Sequence, residues 1–323
     1  MDELAGFNVQ VNQDEIDTKS TFDVVIIGAG PGGLTAAIYS GRSKLKTLVL
    51  EKLAAGGQIA VSELVENYPG FPEGISGTEL TKNFGKQALR FGAKILTADV
   101  RAITKKGNLF YTSTEYGDIA SKSVIIATGA DPVKLPVQEE ETFRGRGISY
   151  CATCDGSFFK GKVVAVVGGG DTALYDAIYL TKFAEKVILV HRRQELRACK
   201  SLQDRAASNK KIVYELQAIP VSIKGEGKVE ALIVENVTTH ERKEIPLNGV
   251  FVAIGTTPNS KLFENLVKLN PQGYIITNPR METSTAGLYA VGDVRESPLK
   301  QVVTACGDGA IAAFEAEKYL SQK

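Results

Sequence analysis

The sequence is poor in histidine and cysteine and has almost no net charge, and each shortage excludes a class of protein. Two histidines and four cysteines among 323 residues leave little material for a metal site. A formal net charge of +1 gives no reason to expect a nucleic acid or a membrane surface as partner. No apolar run approaches the roughly 20 residues that span a bilayer. The length and an apolar fraction of 43% predict a globular protein of two domains, with no metal.

The first 20 residues, MDELAGFNVQVNQDEIDTKS, lack the marks of a signal peptide. They carry acidic residues where a basic segment belongs, and no apolar stretch follows. We interpret residues 1–20 as an N-terminal extension without a catalytic role and expect a cytoplasmic protein. Structural disulfides are rare in that compartment, so a cysteine pair there indicates redox catalysis or metal binding.

Two stretches of the sequence share one plan of strand, glycine loop, helix and second strand. FDVVIIGAGPGG begins at Phe22 and KVVAVVGGGDTA begins at Lys162. The second strands end at Glu51 and His191, equally far from the first glycine of each loop. The sequence therefore predicts an α/β protein with two Rossmann-like, three-layer ββα nucleotide-binding domains.

Shorter β-rich stretches with glycine turns lie between these units and close on VIIATG and VFVAIG. We place the linkers at Asp131–Glu141 and Gly255–Lys261 and interpret the EEE run in the first as a solvated loop. The first domain is then discontinuous, with residues 21–131 and 262–323, and the second spans residues 132–261.

Both glycine loops match the dinucleotide-binding pattern. The first has Gly28, Gly30 and Gly33; the second has Gly168, Gly170 and an alanine in third place. The glycines permit a tight turn and close approach to a pyrophosphate, which the following helix N-terminus attracts.

The residues that end the two second strands differ in charge. Glu51 would accept hydrogen bonds from ribose hydroxyls and repel a 2′-phosphate, so the first loop suits FAD or NAD. Arg192, Arg193 and Arg197 follow the second strand, and guanidinium groups bind phosphate bidentately, so the second loop suits NADP. Asp293 in GLYAVGDV fits a bound flavin, or it caps the following helix.

The stretch CATCDG, residues 151–156, contains a C-x-x-C pair followed by an aspartate. Zinc needs two further ligands, and no second pair has ligand spacing. We expect Cys199 and Cys306 to be buried or half-buried thiols. A redox dithiol with a flavin and NADPH would form one chain of electron carriers. Asp155 is the nearest group for proton transfer, and a helix N-cap is its structural alternative.

With these residues the chain resembles the low-molecular-weight, bacterial-type thioredoxin reductases over nearly its whole length after residue 20. The segments that carry the resemblance are GAGPGG, GGQIAVSELVENYPGFP, ATG, CATCDG, GGGDTA, HRRQELRA and GDVRESPLKQVVTACGDG. The family is a homodimer of chains that pass electrons from NADPH to the disulfide of thioredoxin. The resemblance thus implies FAD in the first domain, and NADPH in the second domain together with the dithiol.

The resemblance also implies roles for single residues. Cys154 faces the flavin, Cys151 attacks thioredoxin, and Asp155 is the acid or base. FAD would be held by Gly28, Gly30, Pro31, Gly33, Glu51, Gly57, Gln58, Asn67, Thr128, Gly129, Gly292, Asp293, Lys300, Gln301 and Val302. NADPH would be held by Gly168, Gly170, Asp171, Thr172, His191, Arg192, Arg193 and Arg197.

Two alternatives stay open at this point. One is a related flavoprotein that uses NADH or ferredoxin as donor, or another protein disulfide as acceptor. The other is a non-catalytic flavin-binding redox sensor with the same fold.

Overall fold

The computed structural model describes residues 20–62 and 64–322, so the predicted extension lies outside the described residues except for Ser20. The chain forms two compact units. One ends at Asp131 and resumes at Thr257; the other is Pro132–Thr256.

Within the described ranges, no helix has both the length and the apolar composition required to cross a bilayer.

The first part of the chain begins with a strand, a glycine loop and a helix. In chain order its elements are β1 (Phe22–Ile27), α1 (Pro31–Arg42), β2 (Thr47–Glu51), α2 (Gly77–Arg90), β3 (Lys94–Thr97), β4 (Ala102–Lys106), β5 (Leu109–Thr114), β6 (Gly117–Ile126) and β7 (Ala130–Pro132).

The second unit repeats the plan, and the chain then returns to the first. The following elements are α3 (Glu140–Phe143), β8 (Ile148–Ser149), α4 (Ala152–Asp155), β9 (Val163–Val167), α5 (Asp171–Leu180), β10 (Lys186–His191), α6 (Lys200–Ala207), β11 (Ile212–Leu216), β12 (Ala218–Lys224), β13 (Ala231–Asn236), β14 (Arg242–Pro246), β15 (Gly249–Val252), β16 (Thr256–Pro258), β17 (Leu288–Ala290) and α7 (Val302–Ser321).

The first unit is built on one sheet in the order β3-β2-β1-β6-β5-β4, with β17 paired to β6. β1 pairs in parallel with β2 and β6, whereas β4, β5 and β6 are antiparallel. Alternate residues of β1 enter different cores. Val24 and Ile26 pack with α1, α2 and α7, and Val25 and Ile27 pack with β4–β6. A strand covered on both faces needs a continuous apolar run, which the sequence VVII of residues 24–27 supplies.

The second unit has a parallel sheet in the order β11-β10-β9-β15-β8 and a separate antiparallel sheet, β12-β13-β14. Val164 and Val166 of β9 pack against α5, whereas Ala165 and Val167 pack on the side of the antiparallel sheet. Each unit therefore combines parallel strands, antiparallel strands and helices, and the predicted α/β class with Rossmann-like units is confirmed.

The interpretation of the EEE run as a solvated loop is wrong. Glu140 begins α3 and is 3% exposed, and the Tyr150 hydroxyl donates to its Oε1 at 2.8 Å. The partner of Glu140 is ten residues away, so the composition of the EEE run alone does not reveal that this glutamate is buried.

The chain passes from one unit to the other in β7 and β16, and these two strands pair as a two-stranded sheet.

Candidate active site

The cysteine pair lies at the start of the short helix α4, directly after strand β8. Cys151 and Cys154 are joined by a disulfide with a Cα–Cα distance of 5.3 Å. Cys151 is the N-cap residue of α4, and the Cys154 amide donates to Cys151 Sγ at 3.2 Å. Both residues are partly exposed. The disulfide therefore lies at the N-terminus of α4, and the sulfur of Cys151 caps this helix by accepting a backbone hydrogen bond.

The carboxyl of Asp155 points back to β8. Ser149 Oγ donates to Asp155 Oδ2 at 2.6 Å. Ser149 Oγ also accepts a hydrogen bond from the Cys151 amide at 3.1 Å. Burial raises the pKa of Asp155, and the Ser149 hydrogen bond opposes that rise. A carboxyl that holds its proton to higher pH is suited to proton transfer near neutrality.

Asp155 ends α4 and occupies the N-cap position of the 3-10 turn Gly156–Phe159, but its side chain makes no capping hydrogen bond there. Its short contact is with Ser149 instead, a residue that the sequence analysis did not single out.

The first glycine loop connects β1 to α1. A Cβ on Gly28 would lie 2.4 Å from Ala127 O, and one on Gly33 would lie 1.9 Å from Gly28 O, so only glycine fits at either place. Helix α1 starts without a side-chain cap. No side chain caps its first N–H groups, and uncapped N–H groups after a glycine loop are the arrangement that binds a pyrophosphate.

Glu51 is fixed beside this loop at the end of β2. Its Oε2 accepts the Ala29 amide at 2.7 Å, and its Oε1 accepts the Leu53 amide at 3.1 Å. The carboxylate is thus oriented by two backbone groups next to the bare start of α1, as a ribose-binding carboxylate requires.

The other residues predicted for the first nucleotide are held by contacts within this unit. Gln58 Nε2 donates to Asp131, Asn67 Nδ2 donates to Gln301 Oε1 at 2.9 Å, and Lys300 Nζ donates to the Tyr274 hydroxyl. Three further segments carry other members of the set. Gly57 lies close to Gly30, and Val302 begins α7. In the third segment Thr128 Oγ1 donates to Asn259 O, and Gly129 has a positive φ.

Asp293 lies in the 3-10 turn Gly292–Val294, and burial raises its pKa. It does not cap α7, because Gln301 is the N-cap of that helix. The turn is held from α7 by Asp308, whose Oδ2 accepts the Gly292 amide at 3.1 Å and Arg295 Nη1 at 3.0 Å. The sequence analysis missed both Asp308 and Arg295, since nothing in their spacing links them.

In the second unit, the glycine loop between β9 and α5 is fastened to the segment that carries the arginines. The Arg197 amide donates to Gly169 O at 2.7 Å, and the Cys199 amide donates to Asp171 Oδ1 at 2.7 Å. Arg192, Arg193 and Arg197 are all exposed. The backbone of the segment that carries the three arginines is thereby tied to the glycine loop and to the first residue of α5, a helix that starts without a side-chain cap.

His191 lies beneath the same loop and is 5% exposed. A Cβ on Gly169 would lie 2.3 Å from His191 Nδ1, so the ring requires a glycine there. Burial lowers the pKa of His191, and the three arginines act in the same direction. His191 and the loop were both predicted for the nucleotide site, but the contact of Gly169 with the His191 ring was not, because the two residues meet only in the folded chain.

The two cysteines outside the pair have different environments. Cys306 is buried, as predicted, whereas Cys199 is exposed, so the prediction for Cys199 is wrong. Cys199 follows the segment that carries the arginines and is the exposed N-cap residue of α6. Among the described residues, no group of three or more His, Cys, Asp or Glu side chains is placed to hold a metal ion.

Comparison with known proteins agrees with this geometry. Residues 22–309 match the family model described as pyridine nucleotide-disulphide oxidoreductase. The chain is 46% identical to the thioredoxin reductase of Bacillus subtilis (strain 168), across 94% of this chain and 96% of that protein. It is 44% identical to the thioredoxin reductase of Peptoclostridium acidaminophilum, across 94% and 98%. The crystal structure of thioredoxin reductase from Streptococcus pyogenes MGAS5005 matches with a TM-score of 0.90 and 42% identity, across 94% and 99%.

The chain belongs to the pyridine nucleotide-disulphide oxidoreductase family. FAD and NADPH are the cofactors that this membership implies. The two glycine loops, each followed by an uncapped helix, fit two dinucleotides.

Proposed function

We propose that the protein is a thioredoxin reductase, which transfers electrons from NADPH through FAD and the Cys151–Cys154 disulfide to the disulfide of thioredoxin. The observation that carries this proposal is the disulfide at the start of α4 with Asp155 beside it. It occurs in a chain 46% identical to a thioredoxin reductase over nearly its full length.

The first unit would hold FAD. The loop Gly28–Gly33 and the bare start of α1 would bind the pyrophosphate, and Glu51 would accept hydrogen bonds from the ribose. Asn67, Asp293 and Gln301 would contact the remainder. FAD held by these residues would supply the means to accept a hydride from NADPH and to pass an electron pair to the disulfide.

The second unit would hold NADPH. Gly168 and Gly170 would let the backbone approach the pyrophosphate, and the exposed guanidinium groups of Arg192, Arg193 and Arg197 would bind the 2′-phosphate. NADH lacks that phosphate, so these three side chains favour NADPH over NADH.

The cysteine pair would transfer the electrons by thiol–disulfide exchange. Reduction of the Cys151–Cys154 bond takes up two electrons and two protons in all. Cys151 as thiolate then attacks one thioredoxin sulfur, forming a mixed disulfide and releasing the other sulfur as a thiolate. Cys154 as thiolate next attacks Cys151 Sγ. This step restores the Cys151–Cys154 bond and frees the second thioredoxin sulfur, so both protons leave with the reduced thioredoxin.

Asp155 would deliver a proton during this exchange. A thiolate leaving group becomes a poorer nucleophile once it is protonated, which prevents the mixed disulfide from reverting. Burial raises the pKa of Asp155, so its carboxyl holds a proton to higher pH than an exposed aspartate does.

An anaerobic assay with the purified holoenzyme tests the proposal. We expect NADPH to support reduction of a bacterial thioredoxin, NADH to be at least tenfold less effective, and Cys151→Ser to abolish thioredoxin reduction. Absence of thioredoxin reduction with any of NADPH, NADH and reduced ferredoxin would refute the proposed acceptor. Equal rates with NADPH and NADH would refute the role of the arginines.

The protein would act as a homodimer in the cytoplasm. The exposed face of α7 carries an apolar stripe of Val303, Ile311 and Phe314, and Tyr39 of the neighbouring α1 is 48% exposed. Such a stripe is typical of a surface covered by a partner, and a two-fold dimer buries one patch against its own copy. A reducing compartment suits a redox cysteine pair beside two cysteines that form no disulfide.

A further inference from the structure

Ser149 lies where strand β8 turns into the cysteine pair, and it is 5% exposed. Its hydroxyl contacts both the Asp155 carboxyl and the backbone of Cys151. A hydroxyl has one hydrogen to donate and two lone pairs to accept with. Here the hydrogen goes to Asp155 Oδ2 at 2.6 Å, and one lone pair accepts the Cys151 amide at 3.1 Å.

The direction of these two bonds constrains the carboxyl. Because the Cys151 amide can only donate, it fixes the Ser149 oxygen as its acceptor and turns the hydroxyl hydrogen away. The nearest acceptor for that hydrogen is Asp155 Oδ2, since the competing Cys151 carbonyl lies at 3.3 Å. Asp155 is therefore held by a donor that favours its ionised form, against a burial that favours the protonated form.

We propose that Ser149 is a positioning residue of the redox centre: its hydroxyl orients the Asp155 carboxyl relative to Cys151 and sets the pH range over which that carboxyl exchanges its proton. The inference rests on the proposed function, because it concerns the proton that Asp155 supplies in thiol–disulfide exchange. The hydrogen bonds of the Ser149 hydroxyl are to the Asp155 carboxyl and to the Cys151 backbone, so Ser149 would act through these two groups.

Few other groups compete for this role. α4 packs against α5 and against the turn Gly156–Phe159. The turn has no charged residue, and the titratable residues of α5 are Asp171, Tyr175, Asp176 and Tyr179. Among the described residues, burial and the Ser149 hydroxyl are the two causes of the shift at Asp155, and no charge contributes. Removing the hydroxyl therefore leaves burial unopposed.

The test compares holoenzyme variants in an assay of thioredoxin reduction across pH. Asp155→Asn identifies the limb of the profile that belongs to Asp155, because that limb disappears in the variant. In Ser149→Ala the same limb should move to higher pH, whether Asp155 acts as acid or as base, since loss of a donor disfavours the carboxylate. Turnover at the wild-type optimum should fall roughly tenfold, the effect of losing one hydrogen bond to a charged group.

Two further variants separate positioning from simple loss of stability. Ser149→Thr retains a hydroxyl and should keep the wild-type profile, and Ser149→Gly should behave as Ser149→Ala. Ser123→Ala is the matched control, because Ser123 Oγ is also buried and donates to Gly287 O at 2.9 Å, far from the dithiol in sequence. The control should lose melting temperature without any shift of the limb.

A Ser149→Ala profile that superimposes on the wild type would overturn the inference, as would a Ser149→Thr enzyme that folds and shifts as far as the alanine variant. If Ser149→Thr does not fold, the comparison of the alanine, glycine and Ser123→Ala profiles decides. Failure of the proposed function is distinguishable, because the wild-type enzyme would then not reduce thioredoxin in the same assay.

Discussion

Cys151 and Cys154 look equivalent in the sequence, but their backbone environments differ. Cys151 Sγ accepts the Cys154 amide at 3.2 Å, whereas Cys154 has no such capping bond in the same turn. A backbone N–H pointed at sulfur stabilises the thiolate, which is the nucleophilic form. This asymmetry supports the assignment of Cys151 as the thiol that attacks the protein substrate.

The first prediction concerns the reactivity of these thiols. After reduction of the holoenzyme, Cys151 should react with iodoacetamide at pH 7 roughly tenfold faster than Cys154, because its thiolate is stabilised by the amide. Mass spectrometry of the alkylated peptides measures the order of labelling. Cys199 is an internal control: it also precedes a helix and is more exposed, but its side chain makes no capping hydrogen bond. Faster labelling of Cys154 or Cys199 would contradict the prediction.

Asp176 of α5 supplies a second prediction. Burial raises its pKa to about 7 from an ordinary value of 3.8, and no other cause contributes. Both folded and unfolded chains hold the proton below about pH 4. As the pH rises toward 7, the unfolded chain gives up its proton first, and stability is lost until the folded carboxyl also ionises.

A rise of the pKa from 3.8 to about 7 corresponds to about 4 kcal/mol, so Asp176→Asn should be more stable than the wild type at pH 8 by about that amount, and nearly equal to it near pH 4. Thermal unfolding of the holoenzyme at the two pH values measures the difference. Asp204→Asn on α6 removes an exposed carboxylate from the same unit and should leave the pH dependence unchanged. A wild-type protein whose melting temperature is constant between pH 4 and pH 8 would rule out the burial effect.

Residue identity and spacing were enough to predict the cysteine pair, but not what surrounds it. Asp155 could be singled out because it follows Cys154 directly. Ser149 could not, because an isolated serine in GISYC carries no pattern, and its contact with Asp155 arises only where β8 turns into α4. The same holds for Asp176, whose burial depends on the packing of α5 and not on its neighbours in the sequence.

At the scale of elements, the strand, glycine loop and helix of each unit were predictable, because each is a local pattern of apolar residues and glycines. Helix α3 was not. Its acidic residues suggest solvent, yet Glu140 is buried and its Oε1 accepts the Tyr150 hydroxyl from ten residues along the chain. Long-range partners of this kind override the composition of a short segment.

The second glycine loop allows two neighbouring glycines to be distinguished experimentally. Gly169→Ala places a Cβ 2.3 Å from the buried His191 ring, whereas Gly170→Ala meets no atom within 4 Å. The first variant should lose about 1–3 kcal/mol of stability through overpacking. The second should lose only about 0.5 kcal/mol, yet bind NADPH more weakly, because its Cβ lies where the backbone would approach the pyrophosphate.

Thermal unfolding and NADPH titration of the two proteins separate these effects. Adding His191→Ser to Gly169→Ala should recover part of the lost stability, since the smaller side chain removes the clash. Equal melting temperatures for the two alanine variants would show that the ring moves aside at little cost.

At the scale of the whole molecule, the chain leaves the first unit after Asp131 and returns to it at Thr257. This division places the cysteine pair and the second glycine loop in one unit, and the first glycine loop with α7 in the other. The sequence could indicate such an arrangement because the two strand–loop–helix patterns are separated by β-rich stretches. It could not indicate which surface of the first unit would be covered by a partner, since burial of α7 depends on how α1 packs beside it.

The last prediction concerns that surface. α1 and α7 pack closely, because a Cβ on Gly309 would lie 2.2 Å from Gly32 O. The opposite face of α7 leaves Ile311 41% and Phe314 55% exposed. With Val303 in the first turn of α7 they form one apolar stripe, and covering it with a second copy would remove apolar surface from water.

The wild-type holoenzyme should therefore sediment with the mass of two 34.6 kDa chains, and Phe314→Glu combined with Ile311→Glu should sediment as one. A charged residue at each position would have to be buried without a partner in the dimer, which costs several kcal/mol. Val237→Glu, at an exposed apolar position of the second unit, should stay dimeric. The flavin absorbance of the double variant shows whether its first unit is still folded. If that variant keeps its flavin and remains a dimer, α7 does not form the interface, whereas a wild-type protein of single-chain mass would refute the dimer itself.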